Sequence, residues 1–588
     1  MSRLQPPALR RLGLVSLTAV GALVVPLGVT ATTASWNDTE WVHSPGVGTN
    51  TIDCGTTTGF AASAEGDFLS GRLLGTNLDA VAALAAQELD IDGNGDVTVS
   101  PPTSIDRGST PPTYTYTNPL NISALGGLAV IDLTGLQVGL PVGSAGAVNQ
   151  YAQVSGFGTA AGAAGLVNNT GGVLVDENTP DDQLPEPATI SLASILPVVT
   201  GVVANPELEV GAVGSSSVLD GCAALLSQQW GDGSVTGITR DYGIASLDLT
   251  VQSALLGAIV TDTNTAVTAI NAAVSGLLGP SGGLATAVRS QLQLGVGSIA
   301  GITLGATSVT GSISGLNLTG ALGSLLTQPL TDGIVTVNLG GGGIEVDLAA
   351  LLNGTNGLNN LAPNTQLLLN AAVVDAIVDR IGDLVDTRTD QIVEALRVAV
   401  RAATVNVNIS TALSLQVLGA PVNIGSVGVA LNTTLGALAD GTATITPTLT
   451  LLTGLPTAVQ LVLAPITALL ESTVEDLATE LVTPLANAVT NSALSLVTTL
   501  GTRLADILTD VVDALAVVLA PLPNVLSVAV NVQPDQPGAL PGTGFIAGTE
   551  DSTPQYKVTA LRLGVLDAIG SLAYVELGTA SAGPVTVP

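Results

Sequence analysis

The sequence predicts an α+β fold, in which a body of short Gly/Thr/Val-rich strands is joined by several long amphipathic helices in the C-terminal two-thirds. Short apolar runs between Gly, Pro and Asn turns are typical of strands. In the second half, apolar residues recur every three or four positions, which indicates helices. Aromatic residues make up only 2% of the chain, so the core must be built from Leu, Val, Ile and Ala.

The N-terminus has the three parts of an export signal. Three arginines precede an uncharged apolar run, residues 12–27. Small residues follow, and either Ala31 or Ala34 suits the position before the cut. A stop-transfer anchor is the alternative, but a proline and a glycine break the run. We therefore expect residues 1–34 to be a signal peptide and the mature chain to be secreted, either extracellular or at the cell surface.

Composition suggests a soft boundary near residue 190. Residues 35–190 are β-rich, and their Gly/Ala-rich part, 156–172, is too poor in bulky side chains to build much core alone. An acidic stretch with three prolines, residues 176–187, is the best candidate for a loop. Residues 191–588 mix helices and strands. One continuous body remains the alternative to two domains.

The charge balance limits the partners. Acidic residues exceed basic ones by far, giving a formal net charge of −32, and Lys557 is the only lysine. Such a surface repels nucleic acid phosphates and anionic lipid headgroups, so we expect binding to neither. It suits solubility outside the cell, or the binding of cations.

Cys54 and Cys222 are the only cysteines. In an oxidising compartment an isolated pair favours a disulfide over a metal site. The bridge would close a loop of 168 residues and pin the N-terminal region to the middle of the chain.

The sequence DIDGNGDVTV offers a candidate calcium loop. Oxygen-bearing side chains alternate at Asp90, Asp92, Asn94 and Asp96, as at the start of such a loop. The pattern then fails, because the twelfth position is Pro101 and not a bidentate glutamate. A solvated turn between two strands is the alternative, and no other cofactor is expected.

The clearest helix is predicted over 366–401. Its charged residues fall at steps of three and four and form one wet stripe. A solvated face is the simpler reading of this stripe, and a cation-binding face is the alternative. The predicted buried stripe consists of Val374, Ile377, Val378, Ile381, Leu384, Val385, Ile392 and Leu396.

Further helices are predicted over 265–278, 459–485 and 487–519, with Pro465 and Pro484 starting or breaking turns. Four consecutive glycines at 340–343 separate two alternating apolar runs. They predict a hairpin, because a phosphate-binding loop would need a following helix and a basic residue.

Neither a transmembrane helix in the mature chain nor an enzyme is expected. The long uncharged stretches are interrupted by Gly, Pro and Gln, unlike a membrane span. His43 is the only histidine, so Ser-His-Asp, Cys-His and multi-histidine zinc chemistry have at most one candidate residue.

The pentapeptide LPGTG at 540–544 matches the LPxTG signal that sortase cuts. A working signal is followed by an apolar span and a basic tail, whereas acidic residues follow here. We therefore interpret 540–544 as a proline-glycine loop.

Four sequence blocks resemble a known family: FLSGRLLGTNLD at 68–79, GAVNQYA at 146–152, YKVTALRLGVLD at 556–567 and TASAGP at 579–584. In this order they are similar to the choice-of-anchor G surface proteins of high-GC Gram-positive bacteria. The segment ASWNDTEW is similar to alternate-type signals that precede secreted fibre and matrix subunits. The resemblance implies an extracellular body, which in that family precedes differing C-terminal anchors, and it supplies no catalytic residues. We expect no anchor after TASAGP, which would be a departure from that family.

These observations favour a secreted, non-enzymatic structural or interaction protein of the bacterial cell surface or extracellular matrix. Its expected partners are other surface or matrix proteins, including copies of itself. The alternative is an extracellular binding module for an apolar, lipid-like ligand, because long amphipathic helices beside uncharged strands could line a groove.

Overall fold

The computed structural model describes residues 52–588 except 74–75, 78–84, 120–129, 134–135, 140–147, 177, 181–182, 186, 194–195, 197–201, 231–234, 355–356, 368 and 566–572. Helices and antiparallel strands both contribute strongly, so the predicted α+β class is confirmed. The expected signal peptide, with Ala31 and Ala34, and the single histidine His43 lie outside the described residues.

The strands are β1 (Ala61–Leu73), β2 (Thr76–Asn77), β3 (Gln87–Ile91), β4 (Val97–Ser100), β5 (Ile105–Asp106), β6 (Thr113–Thr117), β7 (Val130–Leu133), β8 (Leu136–Gly139), β9 (Asn149–Ser155), β10 (Thr159–Gly165), β11 (Ala188–Ser191), β12 (Ala204–Val210), β13 (Val213–Asp220), β14 (Ile238–Ile244), β15 (Leu247–Gln252), β16 (Ile302–Ser314), β17 (Leu330–Thr331), β18 (Val335–Asn338), β19 (Gly343–Asp347), β20 (Thr365–Leu367), β21 (Thr404–Val417), β22 (Ala420–Thr434), β23 (Ile445–Leu451), β24 (Leu526–Val532), β25 (Tyr556–Val565) and β26 (Ala573–Thr586).

The helices are α1 (Gly221–Trp230), α2 (Ala254–Gly276), α3 (Gly283–Leu294), α4 (Leu318–Thr327), α5 (Leu348–Asn353), α6 (Ala371–Ala402), α7 (Leu435–Ala439), α8 (Thr457–Glu480), α9 (Val482–Val489), α10 (Ser495–Leu519) and α11 (Leu522–Val525). A 3₁₀ turn, Val296–Ser298, follows α3, and a π-helical turn, Thr490–Leu494, joins α9 to α10.

The strands form four antiparallel sheets. Sheet A has the order β20-β24-β25-β26-β1-β3-β4, with β2 beside β1, and sheet B has the order β14-β13-β10-β9-β6-β5. Sheet C is β17-β18-β19-β15-β12-β11-β8-β7, and sheet D is β16-β21-β22-β23. Strands from both sides of residue 190 share sheets A, B and C, and Ile52–Pro588 forms one unit.

Sheets A and B pack face to face at a distance set by their smallest residues. A Cβ atom on Gly66 of β1 would lie 2.2 Å from the carbonyl oxygen of Ala163 in β10. A Cβ atom on Gly162 would lie 2.1 Å from the carbonyl oxygen of Glu65. The two main chains therefore approach more closely than the usual spacing of about 10 Å between packed sheets allows. The Gly/Ala-rich stretch that looked too poor for a core thus builds the interior of this sandwich together with its neighbours.

Sheets C and D bury larger aliphatic side chains under helices. On β15 and β19, for example, Leu249 and Val346 are each 1% exposed and lie opposite one another. Helix α10 packs against both α2 and α6, while α8 packs against β21 and β23. One continuous core of Leu, Val, Ile and Ala runs through this part, as the low aromatic content predicts.

Helix α6 confirms the predicted stripes but not the predicted start. Every residue of the predicted buried stripe is buried except Leu384, which is half-buried. The start at residue 366 is wrong, because Thr365–Leu367 forms β20 and pairs with β24. The helix begins at Ala371 because the Asn370 side chain accepts a hydrogen bond from the Val373 amide at 3.1 Å. An asparagine in this position is a strong helix start.

The other predicted elements are found with different bounds. The predicted helix 459–485 is divided between α8 and α9, and the predicted helix 487–519 is divided between α9, the π-helical turn and α10. The glycine hairpin is confirmed, since β18 and β19 pair across 339–342. Helix α2 begins earlier than predicted, because Leu256 and Ile259 extend its buried stripe. Pro484 lies near the start of α9 as expected, but the expectation that Pro465 starts or breaks a turn is wrong. Pro465 sits inside α8 on the exposed side, where water can satisfy the carbonyl that it leaves unbonded.

Candidate functional site

The predicted disulfide is confirmed. The sulfur atoms of Cys54 and Cys222 are bonded, with their Cα atoms 5.6 Å apart, and no free cysteine is found in the described chain. Cys222 lies at the start of α1, directly after β13, and is 1% exposed. The bridge therefore ties the segment before β1 of sheet A to the end of a central strand of sheet B. It fastens the two layers of the sandwich at one end.

The candidate calcium residues lie in the hairpin between β3 and β4. Asp90 belongs to β3, opposite Thr98, whereas Asp92, Asn94 and Asp96 belong to the turn. One carboxylate oxygen of Asp92 accepts hydrogen bonds from the amides of Asn94 at 2.9 Å and Asp96 at 2.8 Å. The Asp96 amide, followed by the Asn94 side chain, lowers the pKa of Asp92. These contacts build the exposed turn that the sequence offered as the alternative.

Calcium binding at this turn stays a prediction. Among the described residues, no group of three or more His, Cys, Asp or Glu side chains is arranged as a metal site. The second oxygen of the Asp92 carboxylate already accepts a hydrogen bond from the Asn94 side-chain amide at 3.1 Å, so an ion would have to displace this contact.

The LPGTG segment is a loop, as predicted, and it lies across the outer face of sheet A. The Arg562 guanidinium of β25 donates a hydrogen bond to the carbonyl oxygen of Pro541 at 2.7 Å. The Tyr574 hydroxyl of β26 donates to the carbonyl oxygen of Gly542 at 3.3 Å. Residues 540–544, here called the strap, are thus held to the sheet by two neighbouring strands.

A buried charge cluster lies beneath the strap. The Arg562 guanidinium lies 4.1 Å above the centre of the Tyr574 ring, and one of its nitrogens is 3.4 Å from a Glu576 carboxylate oxygen. The other Glu576 oxygen lies 3.6 Å from the ammonium nitrogen of Lys557. The side chains of Arg562 and Glu576 are only 1% and 4% exposed. Removing Glu576 would leave the buried charge of Arg562 without its carboxylate, which costs several kcal/mol.

The single lysine of the chain serves this cluster. Burial alone would lower the pKa of Lys557, but the negative charges of Glu576, Glu65 and Asp67 outweigh burial and raise it. Glu65 and Asp67 flank Gly66, which faces sheet B, so their side chains point to the outer face beside Lys557. The Lys557 ammonium group therefore balances part of the negative charge of these three carboxylates.

Clefts lie on both sides of the strap. One, of about 470 Å³, lies between Gly542, Gly544 and the Lys557 end of the cluster. The other, of about 300 Å³, lies between Leu540, Pro541 and the segment 523–529. They are grooves in a protein surface with an ion-paired floor, an arrangement that suits recognition of polar groups.

An acidic surface covers one face of sheet C. Asp248 of β15 lies directly between Glu209 of β12 and Asp347 of β19. In the next row, Thr250 lies between Glu207 and Glu345. A cleft of about 440 Å³ follows this face, and the residues described along it include no Lys, Arg or His.

Burial, followed by the crowding of like charges, raises pKa values on this surface. Burial raises the pKa of Asp248 to about 7, a hydrogen bond with Ser246 opposes the rise, and the charges of Asp347, Glu345 and Glu209 add to it. Burial and the charge of Glu345 also raise the pKa of Glu209. This surface therefore attracts positively charged groups and would become less charged in mild acid.

Helix α8 presents an exposed apolar side. Leu461 is 79% exposed and Leu469 is 52% exposed. Within the described part of the chain, α8 is the one helix long and apolar enough to cross a membrane, and 22% of its most apolar window is buried. One such helix is weak support for a membrane span, so the expectation of none stays a prediction.

Sequence reasoning identified the disulfide and the loop character of 540–544 but missed both charged surfaces. The strap cluster had one usable signal, since the only lysine stands five residues before Arg562 in a strand-like segment. The acidic surface had none, because Glu209, Asp248 and Asp347 are far apart in the chain and meet through strand pairing.

The chain was compared with known proteins. Residues 64–583 match the model of a family described as "Domain of unknown function (DUF8394)". A search of curated proteins found no match, and neither did a search of solved structures. Because the matched range covers most of the chain, the chain belongs to the DUF8394 family.

Proposed function

We propose that this chain is a secreted structural or interaction protein of the bacterial cell surface or extracellular matrix, which acts by contact and not by catalysis. The observation that carries the proposal is the Cys54–Cys222 disulfide, which closes a loop of 168 residues. Disulfides of this kind form and persist in oxidising compartments. The export signal expected at 1–34 and the resemblance to choice-of-anchor G surface proteins support the same compartment.

The charged groups of the described residues suit contact with other proteins. Lys557 and Arg562 hold the strap and its floor together, and so they build a surface. The acidic surface of sheet C suits basic patches on partners, because Glu207, Glu209 and Glu345 line an uncompensated cleft. The partners that fit are surface or matrix proteins with basic groups, together with further copies of this chain.

Cell fractionation of a strain that makes the full chain tests the proposal. We expect the mature protein, starting near Ser35, in the medium and on the cell surface, where added protease can reach it. The matched control lacks residues 12–27 and should stay inside the cell. Wild-type protein confined to the cytoplasm with free thiols at Cys54 and Cys222 would refute the proposal.

A contact role also predicts that the purified mature protein binds to other surfaces. Wild-type protein should bind cells or cell-wall fractions, and this binding should weaken in high salt because exposed charges are screened. A variant with Glu207→Gln, Glu209→Gln and Glu345→Gln should bind less, while exposed acids exchanged on α10 (Asp506→Asn, Asp510→Asn) should have little effect. Equal binding by both variants would remove the acidic surface from the proposal.

An apolar-ligand module is the second candidate, favoured by the exposed side of α8. Leu461, Val462 and Leu469 are all exposed on that helix. Lipid extraction of purified protein followed by mass spectrometry tests it. Recovered lipid that is lost in a Leu461→Ser, Leu469→Ser variant would support this function, and lipid-free wild-type protein would count against it.

A further inference from the structure

Most strands at the ends of the four sheets are protected against pairing with another chain. Natural proteins keep such strands short, or place a charge or a proline in them. Sheet B ends on β14, which carries Arg240 and Asp241, and sheet D ends at one side on β23, which carries Pro447. The other end strands have five residues or fewer: β4, β5, β7, β17 and β20.

Strand β16, at the other end of sheet D, is neither short nor interrupted by a charge or a proline, and its register irregularity between Leu304 and Thr307 lies before residues 308–314. It spans 13 residues, ITLGATSVTGSIS, without a charge or a proline. Arg289 of α3 occupies its first half, donating hydrogen bonds to the Gly305 carbonyl at 2.8 Å and to the Thr307 hydroxyl at 3.0 Å. Within the described chain, the backbone of residues 308–314 forms hydrogen bonds with β21 and with no other segment. Within the part of the chain that the structure describes, their other edge therefore carries unpaired backbone donors and acceptors.

The core-facing side chains of this segment are incompletely covered. Val309 and Ile313 are half-buried. Their direct partners on β21, Ile409 and Val405, are fully buried at 0% exposure. The hydrophobic layer of sheet D therefore continues beyond the sheet edge, where a further strand would complete it.

We propose that residues 308–314 pair with the same segment of a second copy, antiparallel and about a two-fold axis at Gly311. In this register Val309 of each copy lies opposite Ile313 of the other, and Thr310 lies opposite Ser312. Apolar side chains then meet on the core face and hydroxyls on the outer face, because opposite residues share a face. The two four-stranded sheets become one continuous sheet across the axis.

The partner is a second copy because the segment complements itself and is neutral. Each copy carries a net charge of −32, and repulsion at an acidic contact would oppose association. Residues 308–314 present no charge, and a two-fold antiparallel contact matches each position with one of the same kind. The pairing gives the proposed contact function a specific partner, and it rests on that function.

Sedimentation velocity of the purified mature protein, from about 1 to 100 µM, tests the pairing. We expect a reversible dimer. Thr310→Glu combined with Ser312→Glu changes two exposed side chains. It places like charges directly opposite one another in two pairs, so the dimer dissociation constant should rise about tenfold or more. The matched control, Thr448→Glu with Thr450→Glu, alters exposed positions on β23 and should leave the dimer intact.

Circular dichroism and melting curves establish that both variants remain folded. Should the β16 variant fail to fold, disulfide trapping replaces it: Thr310→Cys protein mixed with Ser312→Cys protein should cross-link, and neither should cross-link efficiently alone. Wild-type protein that stays monomeric throughout would overturn the pairing, and so would a β23 variant that dissociates equally.

Failure of the pairing and failure of the proposed function can be told apart. Monomeric protein that still reaches the cell surface and stays there would contradict the pairing but not the proposed function. A dimer that never leaves the cytoplasm would contradict the proposed function but not the pairing.

Discussion

The sandwich of sheets A and B and the helix-covered sheets C and D bury their interiors in opposite ways. In the sandwich, glycine and alanine bring main chains together, so that a Cβ atom on Gly162 would meet the carbonyl oxygens of Glu65 and Ser581 at 2.1 and 2.4 Å. In the helical part, branched side chains such as Ile392 and Leu396, both 0% exposed, fill the space between layers.

The difference decides which changes each region tolerates. Where main chains touch, even one added carbon must displace backbone, which yields little. Where side chains fill the space, the loss of one carbon costs its own burial and the small cavity that it leaves, about 1 kcal/mol in all.

Removing the disulfide with Cys54→Ser and Cys222→Ser should have the largest effect. The closed loop of 168 residues corresponds to a loss of unfolding free energy on the order of 5 kcal/mol in the chain-entropy model. Urea unfolding of both proteins measures it. Reductant should lower the free energy of unfolding of the wild type to that of the variant, and it should not change the value for the variant. A loss below about 1 kcal/mol would mean that the sandwich does not depend on the bridge.

One added carbon inside the sandwich should come next. Gly162→Ala forces a methyl group against two carbonyl oxygens, and we expect it to lower the free energy of unfolding by about 3 kcal/mol or more. The control is Gly257→Ala in α2, where nothing lies within 4 Å of the added carbon. That change should be neutral or stabilise by up to about 1 kcal/mol, because alanine favours helix. Equal effects at both glycines would contradict the close approach of sheets A and B.

The acidic surface of sheet C should make stability depend on pH. The folded-state pKa of Asp248 is raised from 3.8 to about 7, so the folded protein holds a proton that the unfolded chain releases between these values. Stability should therefore increase as pH falls from about 8 towards 4, and it should level off below the unfolded pKa.

A rise in pKa from 3.8 to about 7 corresponds to about 4 kcal/mol for a fully buried group. Water screens the half-buried Asp248, so Asp248→Asn should remove the dependence and raise stability at pH 8 by about 1 to 2 kcal/mol. The control, Asp510→Asn on the exposed side of α10, should leave the pH profile unchanged. Melting temperatures of the wild type and both variants at pH 5 and pH 8 measure these effects. If Asp248→Asn stabilised the protein more at pH 5 than at pH 8, the raised pKa of Asp248 would be contradicted.

One carbon removed from the helical core should have the smallest effect. Ile392→Val in α6 deletes a buried methyl group and should cost about 1 kcal/mol. Val398→Ala on the same helix, at a side chain that is 54% exposed, should cost less than about 0.5 kcal/mol. Chemical unfolding measures both. A cost at Ile392 as large as that at Gly162 would erase the contrast between the two regions.

Sequence reasoning predicted the parts of this structure that local periodicity encodes. The stripes of α6, the hairpin at 339–342 and the loop at 540–544 depend on neighbours within a few residues, and all three are confirmed. The disulfide could be predicted from the expected oxidising compartment and from the presence of just two cysteines in the sequence.

Pairings between distant segments could not be predicted. Strand β1 pairs with β26, so that Ala61 lies opposite Thr586, and no local pattern announces such a contact. The strap cluster and the acidic surface both depend on these pairings. Gln366 falls within the predicted helix because no local pattern indicates its partner strand, β24, which begins only at Leu526.

Hydrogen–deuterium exchange of the mature protein at low and high concentration tests the central claim most directly, because it compares the two end strands of sheet D in one experiment. If the protein acts through contact and pairs along β16, amides in 308–314 should exchange several-fold more slowly at high concentration, while β23 stays unchanged. Exchange in β16 that does not depend on concentration would contradict the account, whether the edge is open throughout or covered by the chain itself.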